Sequence, residues 1–244
     1  MKDDAQFRAV IISDTHVPFQ NEEVLNKVYN VIKDVKPTHI IHLGDFLDCY
    51  SISRFLKDPN RIFNLQDELN EAQKIIQRIN KISPKSKKYL LEGNHEERLF
   101  RTLCSLDGPA RELIKIDSVR SALSWPSLLD LKNLKWEFVP ALKQPLLNII
   151  PNMILKHGNL VRKFSGYSAK AEFEQYHMSG ISGHTHRLGI YYHTNLSGNY
   201  SWIENGCTCD LQPDYIRNPN WQNGITVISW NNKDRVPVID QIKL

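Results

Sequence analysis

The chain has 244 residues, 41% hydrophobic and 24% charged, with a formal net charge of +4 when its nine histidines are counted as neutral. These values suit a globular protein with a substantial core and, at this length, one α/β domain over 1–244. They exclude a membrane-spanning chain, since no stretch approaches roughly 20 apolar residues, and a dedicated DNA-coating protein, which would carry a dense basic stripe.

The opening residues Met1–Gln6 show no apolar segment like a signal peptide, so a cytoplasmic location is expected. Cys49, Cys104, Cys207 and Cys209 are irregularly spaced, as free thiols in a reducing compartment would be. Cys207-Thr208-Cys209 reads as two reduced cysteines at a strand end, because no second pair completes a tetrahedral site.

Phe7 to Ile12 predicts a first strand whose continuous apolar run suits a sheet buried on both faces. Ser13-Asp14-Thr15-His16 follows on the loop leaving it. Asn21 can cap a helix whose stripe is Val24, Leu25, Val28, Val31 and Ile32. Pro37 ends it and introduces a second strand running through Leu43, completing a βαβ unit. Gly44 then breaks the strand and leaves Asp45 at its carboxyl end, where open α/β sheets bind ligands.

Residues 50–64 are polar and aromatic with no clean period. Gln66 to Asn80 predicts an amphipathic helix with Leu69, Ala72, Ile75, Ile76 and Ile79 inward, and Asp67, Glu68, Glu71, Lys74 and Arg78 as a solvated face. Lys87 to Leu91 predicts a third strand, ending near Gly93-Asn94-His95. Residues 98–148 read as short helices broken by Gly108-Pro109 and Trp125-Pro126, forming either a lid over the site or a helical insertion. Beyond them, Ile149–Leu155, Met178–Ser182, Ile190–His193, Tyr200–Ile203, Ile225–Trp230 and Val236–Ile242 favour strands. Asn231-Asn232-Lys233-Asp234 suggests a hairpin turn. Asp210, Asp214 and Glu204 have no partnered spacing and read as surface, whereas Arg162, Lys163 and Lys170 are the one candidate basic cluster for a groove and read equally well as a flexible surface loop.

The chemistry-bearing residues share one pattern: each follows an apolar run or a glycine. Asp14, His16, Asp45 and His186 can hold one cation, and Asp45, Asn94, His157 and His184 a second, with Asp45 bridging through one carboxylate oxygen per metal. The Asp-x-His and His-x-His spacings would put both side chains on one side of an extended segment. Two divalent cations are therefore expected, Mn²⁺ ahead of Fe, Zn²⁺, Ni²⁺, Co²⁺ or Mg²⁺, because the donors are carboxylate, amide and imidazole without thiolate. Such a pair, about 3.5–4 Å apart, lowers the pKa of bound water for attack and clamps a phosphoryl group. His95 can protonate the departing oxygen, with Asp48 fixing its tautomer and raising its pKa.

Asp14-x-His16, Gly44-Asp45-x-x-Asp48, Gly93-Asn94-His95-Glu96, His157 and Gly183-His184-x-His186 together resemble the five blocks of the calcineurin-like metallophosphoesterases. That resemblance implies a four-layer α-β-β-α sandwich of two mixed sheets, Asp45 as the metal bridge and His95 as the proton donor. Glu96 stands where many members have aspartate, a departure expected to be harmless. Asp45 to Arg54, Glu96-Glu97-Arg98-Leu99, Glu204-Asn205-Gly206 and Trp221-Gln222-Asn223-Gly224 resemble a phage-encoded branch that includes nucleases and nucleotide phosphatases.

The expected activity is phosphate-ester hydrolysis on a small anionic substrate, foremost a (deoxy)nucleoside 5′-monophosphate. Arg54, Arg98 and Arg187 are candidates for its phosphate. Tyr50, Phe55, Tyr167 and Trp221 are candidates for its base, with core packing the default reading of each. The alternative is a metal-dependent DNase or other phosphodiesterase, which would need a longer basic groove with stacking aromatics. A catalytically silent scaffold is a third reading, disfavoured by the complete ligand set. No membrane partner is expected, and nothing in the sequence indicates an oligomeric state.

Overall fold

The computed structural model describes residues 7–141, 149–150, 153–213, 218–230 and 237–244. Strand β1 (Phe7–Ile12) serves two hydrophobic layers at once: Val10 and Ile12 point to one, Ala9 and Ile11 to the other. This period-two division requires that both faces of its sheet be covered. Helix α1 (Glu22–Val35) covers one of them. The Asn21 side chain accepts the Val24 N–H at 3.1 Å, and Leu25, Val28 and Ile32 join the layer of Val10. Helix α2 (Leu65–Ile82) packs there too, opened by a reciprocal cap between Asn64 and Asp67.

Strands β2 (His39–His42), β3 (Lys87–Leu91) and β4 (Glu137–Val139) extend β1 in parallel. On its other side β1 pairs antiparallel with β9 (Gly224–Trp230), which pairs antiparallel with β10 (Val238–Lys243), giving a mixed sheet ordered β10-β9-β1-β2-β3-β4. The second sheet holds β5 (Met153–Lys156), β6 (Ser179–Ser182), β7 (Leu188–Asn195) and β8 (Gly198–Asn205) in the order β5-β6-β8-β7, with only β7 antiparallel. Ala9, Ile11, Ile41 and Leu91 of the first sheet meet Met153, Leu155, Ile181 and Ile203 of the second in a common core. Helix α7 (Tyr167–Tyr176) closes the far side with Phe173 against Trp202 and Ile154. The result is the expected four-layer α-β-β-α sandwich of two mixed sheets.

Parallel strands β1, β2, β3, β5 and β6 lead into Asp14, Asp45, Asn94, His157 and His184. The carboxyl edges of both sheets therefore face one place. Among the described residues no helix is long and apolar enough to cross a membrane.

Several sequence expectations are corrected. Helix α7 is absent from them because its inward face includes Ser168 and Glu172, which spoil the apolar stripe. Strand β4 is too short to stand out. Glu68, expected on a solvated face, is 1% exposed and its carboxylate accepts the Cys49 and Tyr50 N–H groups at 2.8 and 3.2 Å. Glu204, expected at the surface, is fully buried and accepts the Gly166 N–H. Asp210 is exposed as expected, whereas Asp214 and the turn at Asn231–Asp234 lie outside the described residues. In residues 98–141, Leu99, Trp125, Leu129 and Trp136 belong to the main core, while α4 (Gly108–Leu113) and α5 (Asp117–Ala122) bury nothing.

Lys156 and Glu172 form a buried ion pair at 2.9 Å, with Asn159 and Tyr176 completing the ammonium's bonds. Removing one member strands the other charge. Lys156→Met is expected to cost about 3–5 kcal/mol in urea unfolding, and the double change with Glu172→Leu to recover most of that loss. Equal destabilisation by single and double variants would show that the pair does not act as a unit.

Candidate metal centre

The loop after β2 is the centre's foundation. Gly44 has φ +107°, and a Cβ there would come within 2.8 Å of the Gly93 backbone. A Cβ at Gly93 would strike the Asp45 carboxylate. The loops after β2 and β3 thus touch backbone to backbone, which only glycine permits. Glu96 ties them together. Its carboxylate is fully buried and accepts the N–H groups of Asp45 (2.9 Å), Gly93 (2.8 Å) and Leu47 (2.8 Å). Burial and the neighbouring Asp45 charge push its pKa up to about 7, against the pull of those amides. The Trp125 indole N–H anchors the Glu96 backbone carbonyl at 2.8 Å. Residue spacing does not signal this role of Glu96, because two of its three amide partners, Asp45 and Leu47, lie about fifty positions away.

All seven predicted ligands converge. On one side His16 Nε2 lies 3.1 Å from His186 Nε2, which is 3.3 Å from Asp14 Oδ1. On the other, His157 Nε2 is 3.3 Å from Asp45 Oδ2 and 3.0 Å from Asn94 Oδ1, and His184 Nδ1 is 2.8 Å from the same Asn94 oxygen. Asp45 Oδ2 faces both groups, at 3.8 Å from His16 Nε2. Asp45 Oδ1 instead accepts the His95 N–H at 2.9 Å. The expectation of one oxygen per metal is thereby corrected: a single oxygen stands between the two groups.

The local geometry also differs from the expected pleat. Asp14, His16, Asp45, His184 and His186 all have left-handed backbone, with φ between 49° and 69°. Consecutive turns, rather than an extended run, bring Asp14 together with His16 and send His184 and His186 to different groups. Such conformations cost roughly 1–3 kcal/mol each in non-glycine residues and persist where surrounding structure enforces them.

The donor set fits a pair of cations. Two ligand atoms about 2.0–2.2 Å from one cation sit roughly 3–3.5 Å apart, and the nitrogen and oxygen pairs above span 2.8–3.3 Å. His157 Nδ1 donates to the Leu43 carbonyl (3.1 Å) and His16 Nδ1 faces the Asp48 carboxylate (3.1 Å), which turns both Nε2 lone pairs inward. The polypeptide alone can relieve this convergence only by protonation. Burial works against the imidazolium, yet the Asp45 and Asp14 charges hold His157 up at about 9, and Asp14 with Cys209 holds His186 up at about 10. Burial likewise opposes ionisation of Asp45, whose carboxyl is nevertheless held well below the usual range by His157, His95 and His16. His184, half-buried and beside the His157 charge, falls to about 4.

His95 lies next to this set. Its Nδ1 donates to the Asp48 backbone carbonyl (2.8 Å) with the Asp48 carboxylate at 3.3 Å, and its Nε2 is 3.9 Å from Asp45 Oδ2. Burial lowers its pKa, but Asp45 and Asp48 outweigh it and the net direction is upward. Arg98 Nη2 lies 3.0 Å from His95 Nε2, and Arg98 Nη1 donates to the Asp48 carbonyl at 2.7 Å. Of the other predicted substrate contacts, Arg187 turns to the Arg162 carbonyl, Arg54 is exposed, and Tyr50 lies under Lys57 and Arg61. Trp221 packs edge-on to His186 with ring centroids 4.1 Å apart, and Tyr167 is 57% exposed. Cys209 Sγ is 4.0 Å from His186 Nδ1 and supports the ring from behind, a contact that residue spacing did not signal.

Residues 7–188 match the calcineurin-like phosphoesterase family, a span that includes every one of these ligands. The chain belongs to that family. Among family relatives it is 27% identical to the gene 54 protein of Mycobacterium phage L5 over 252 positions, covering 95% of this chain and 94% of that one. It is also 27% identical to the gene 54 protein of Mycobacterium phage D29, covering 91% and 88%. Among solved structures it is similar to a dimetal phosphatase from Danio rerio at 12% identity, with a TM-score of 0.49 and coverage of 97% and 98%. As a calcineurin-like phosphoesterase the chain is a metal-dependent enzyme whose His and Asp groups suit a dinuclear centre.

Adding Mn²⁺ at 100 times its Kd is expected to stabilise the wild type by about 2.7 kcal/mol in thermal unfolding. Asp45→Asn should lose most of that increment, and Glu96→Gln a smaller part. An undiminished Mn²⁺ shift in Asp45→Asn would remove Asp45 from the ligand set.

Proposed function

We propose that this chain hydrolyses phosphate esters of nucleotides at a dinuclear centre held by Asp14, His16, Asp45 and His186 on one side and Asp45, Asn94, His157 and His184 on the other. A single observation carries this reading: Asp45 Oδ2 faces both ligand groups, while Asp45 Oδ1 fixes the residue that precedes Glu96, His95. When bound, a pair of divalent cations supplies acidified water and neutralises charge on phosphoryl oxygens.

The chain's own residues account for the remainder. With only two carboxylates among the ligands, the loaded centre keeps a positive balance that draws in an anionic ester. His95 is the general acid. Asp48 holds its Nδ1 proton, so Nε2 is the nitrogen that delivers a proton to the departing oxygen. Arg98, already beside Nε2, is positioned to hold a phosphoryl oxygen next to that proton. Glu96 keeps the two loops in register, and Asp48 orients His16 and His95 together.

The smallest substrate meeting these demands is a (deoxy)nucleoside 5′-monophosphate. Of the three arginines expected at its phosphate, Arg98 alone contacts the candidate acid, so the support for a mononucleotide rests on one guanidinium. Phosphodiester cleavage in a single strand is the second reading, favoured by the exposed cations and aromatics of residues 50–64, whose Phe55 ring centroid lies 5.7 Å from the guanidinium of Arg98.

His95→Ala is expected to lower turnover by about 10²–10⁴ while retaining bound metal; turnover within twofold of wild type would remove His95 from the reaction. In Mn²⁺, phosphate release from a deoxynucleoside monophosphate with intact single-stranded DNA would decide for the monoesterase. Chain cleavage without phosphate release would decide for the diesterase.

A further inference from the structure

Residues 50–64 carry three cations, Arg54, Lys57 and Arg61, against one carboxylate, Asp58. Large apolar side chains alternate with them and stand in solvent: Phe55 is 72% exposed, Leu56 97%, Ile62 87% and Phe63 51%. An apolar set of this density, left in water and mixed with like charges, marks a binding surface.

Measured contacts run from this segment into the catalytic side of the centre. Arg98, beside His95 Nε2, has its guanidinium 5.7 Å from the Phe55 ring centroid. Arg61 lies 4.6 Å from the Tyr50 ring and 4.7 Å from that of Phe19, and Lys57 is 4.7 Å from Tyr50. The Phe19 N–H in turn donates to the His16 carbonyl at 2.6 Å. A row of rings and cations on residues 50–64 therefore touches the His16 loop through Phe19 and helix α3 (Glu97–Cys104) through Arg98, which lies beside the candidate proton donor.

We propose that this row is a binding platform for single-stranded nucleic acid, which makes the departing group of the reaction part of a strand. The proposal rests on the phosphoesterase reading of the centre and deepens its second form. Flat bases stack on exposed rings without regard to sequence, and a phosphate backbone matches a cationic row. A second copy of the chain fits less well, because a two-fold contact would bring Arg54, Lys57 and Arg61 against their own counterparts. A free mononucleotide would use one ring and leave the remaining exposed apolar surface unmatched.

The test uses the full-length, Mn²⁺-loaded chain. With His95→Ala to block turnover, fluorescence anisotropy of a labelled thymidine oligonucleotide of about 12 residues should show binding that weakens with salt. Adding Phe55→Ala or Arg61→Ala should weaken it about tenfold each, and Arg61→Ala should flatten the log–log salt slope by about 0.7. With His95 intact, either change should lower the ratio of oligonucleotide cleavage to aryl phosphate hydrolysis by about tenfold. Unchanged affinity and an unchanged ratio would overturn the platform, as would sedimentation in which Phe55→Ala converts a dimer to a monomer without touching oligonucleotide affinity. Aryl phosphate hydrolysis with no oligonucleotide binding overturns the platform and leaves the phosphoesterase reading intact. Salt-dependent oligonucleotide binding with no hydrolysis of any ester does the reverse.

Discussion

The contact between the Gly44 and Gly93 backbones governs the centre. Asp45 and Asn94 come from different strands, and they can address neighbouring positions only if their loops meet with no side chain between them. Glycine permits that approach; Glu96 enforces it. One buried carboxylate takes up three amides of the two loops, and charge-assisted bonds of this kind are roughly twice as strong as neutral ones. The upward push on Glu96 to about 7 reflects the opposing demand, since its charge is buried beside that of Asp45. Positive charge at the ligands would relieve both carboxylates at once. The loops and the cations they would hold are in this sense one electrostatic system.

Around that contact the two sheets act as jaws. Their shared core sets the spacing of the strand ends, and the strand ends set the spacing of the ligands. Five ligands then leave their strands in left-handed conformation, which isolated peptides avoid. The sandwich pays for that strain through its packing, and in return the side chains are aimed before any substrate arrives. His157 and His16 show the same economy, with Nδ1 committed to the Leu43 carbonyl or to Asp48 so that Nε2 turns inward.

Much of this was legible from residues alone, for reasons that can be named. The apolar runs of β1 to β3, the stripe and Asn21 cap of α1 and the period of α2 are local signals. The ligand blocks follow strands directly, and all but Asp14-Thr15-His16 carry an adjacent glycine. What escaped depends on distant partners or on geometry. Charged residues default to solvent in a sequence, so Glu68 and Glu204 looked exposed until the amides of Cys49 and Gly166 met them. Helix α7 hid because Glu172 sits inward, paired with Lys156 from another element. Asp14 and His16 come together for a different reason from the one their spacing suggests, since the chain turns left-handed where an extended pleat is expected. The exposure of Phe55 and Leu56 could not be foreseen, because an aromatic residue read from sequence is placed in a core by default.

Asp45 Oδ2, which faces both ligand groups, would serve both cations of a loaded centre. A crystal structure of the Mn²⁺-loaded protein, with data collected at the manganese edge, tests it directly. The expected map has two anomalous peaks about 3.5–4 Å apart, both coordinated by Asp45 Oδ2, with Oδ1 still accepting the His95 N–H. A single peak, or a second one that Asp45 does not reach, would contradict the account.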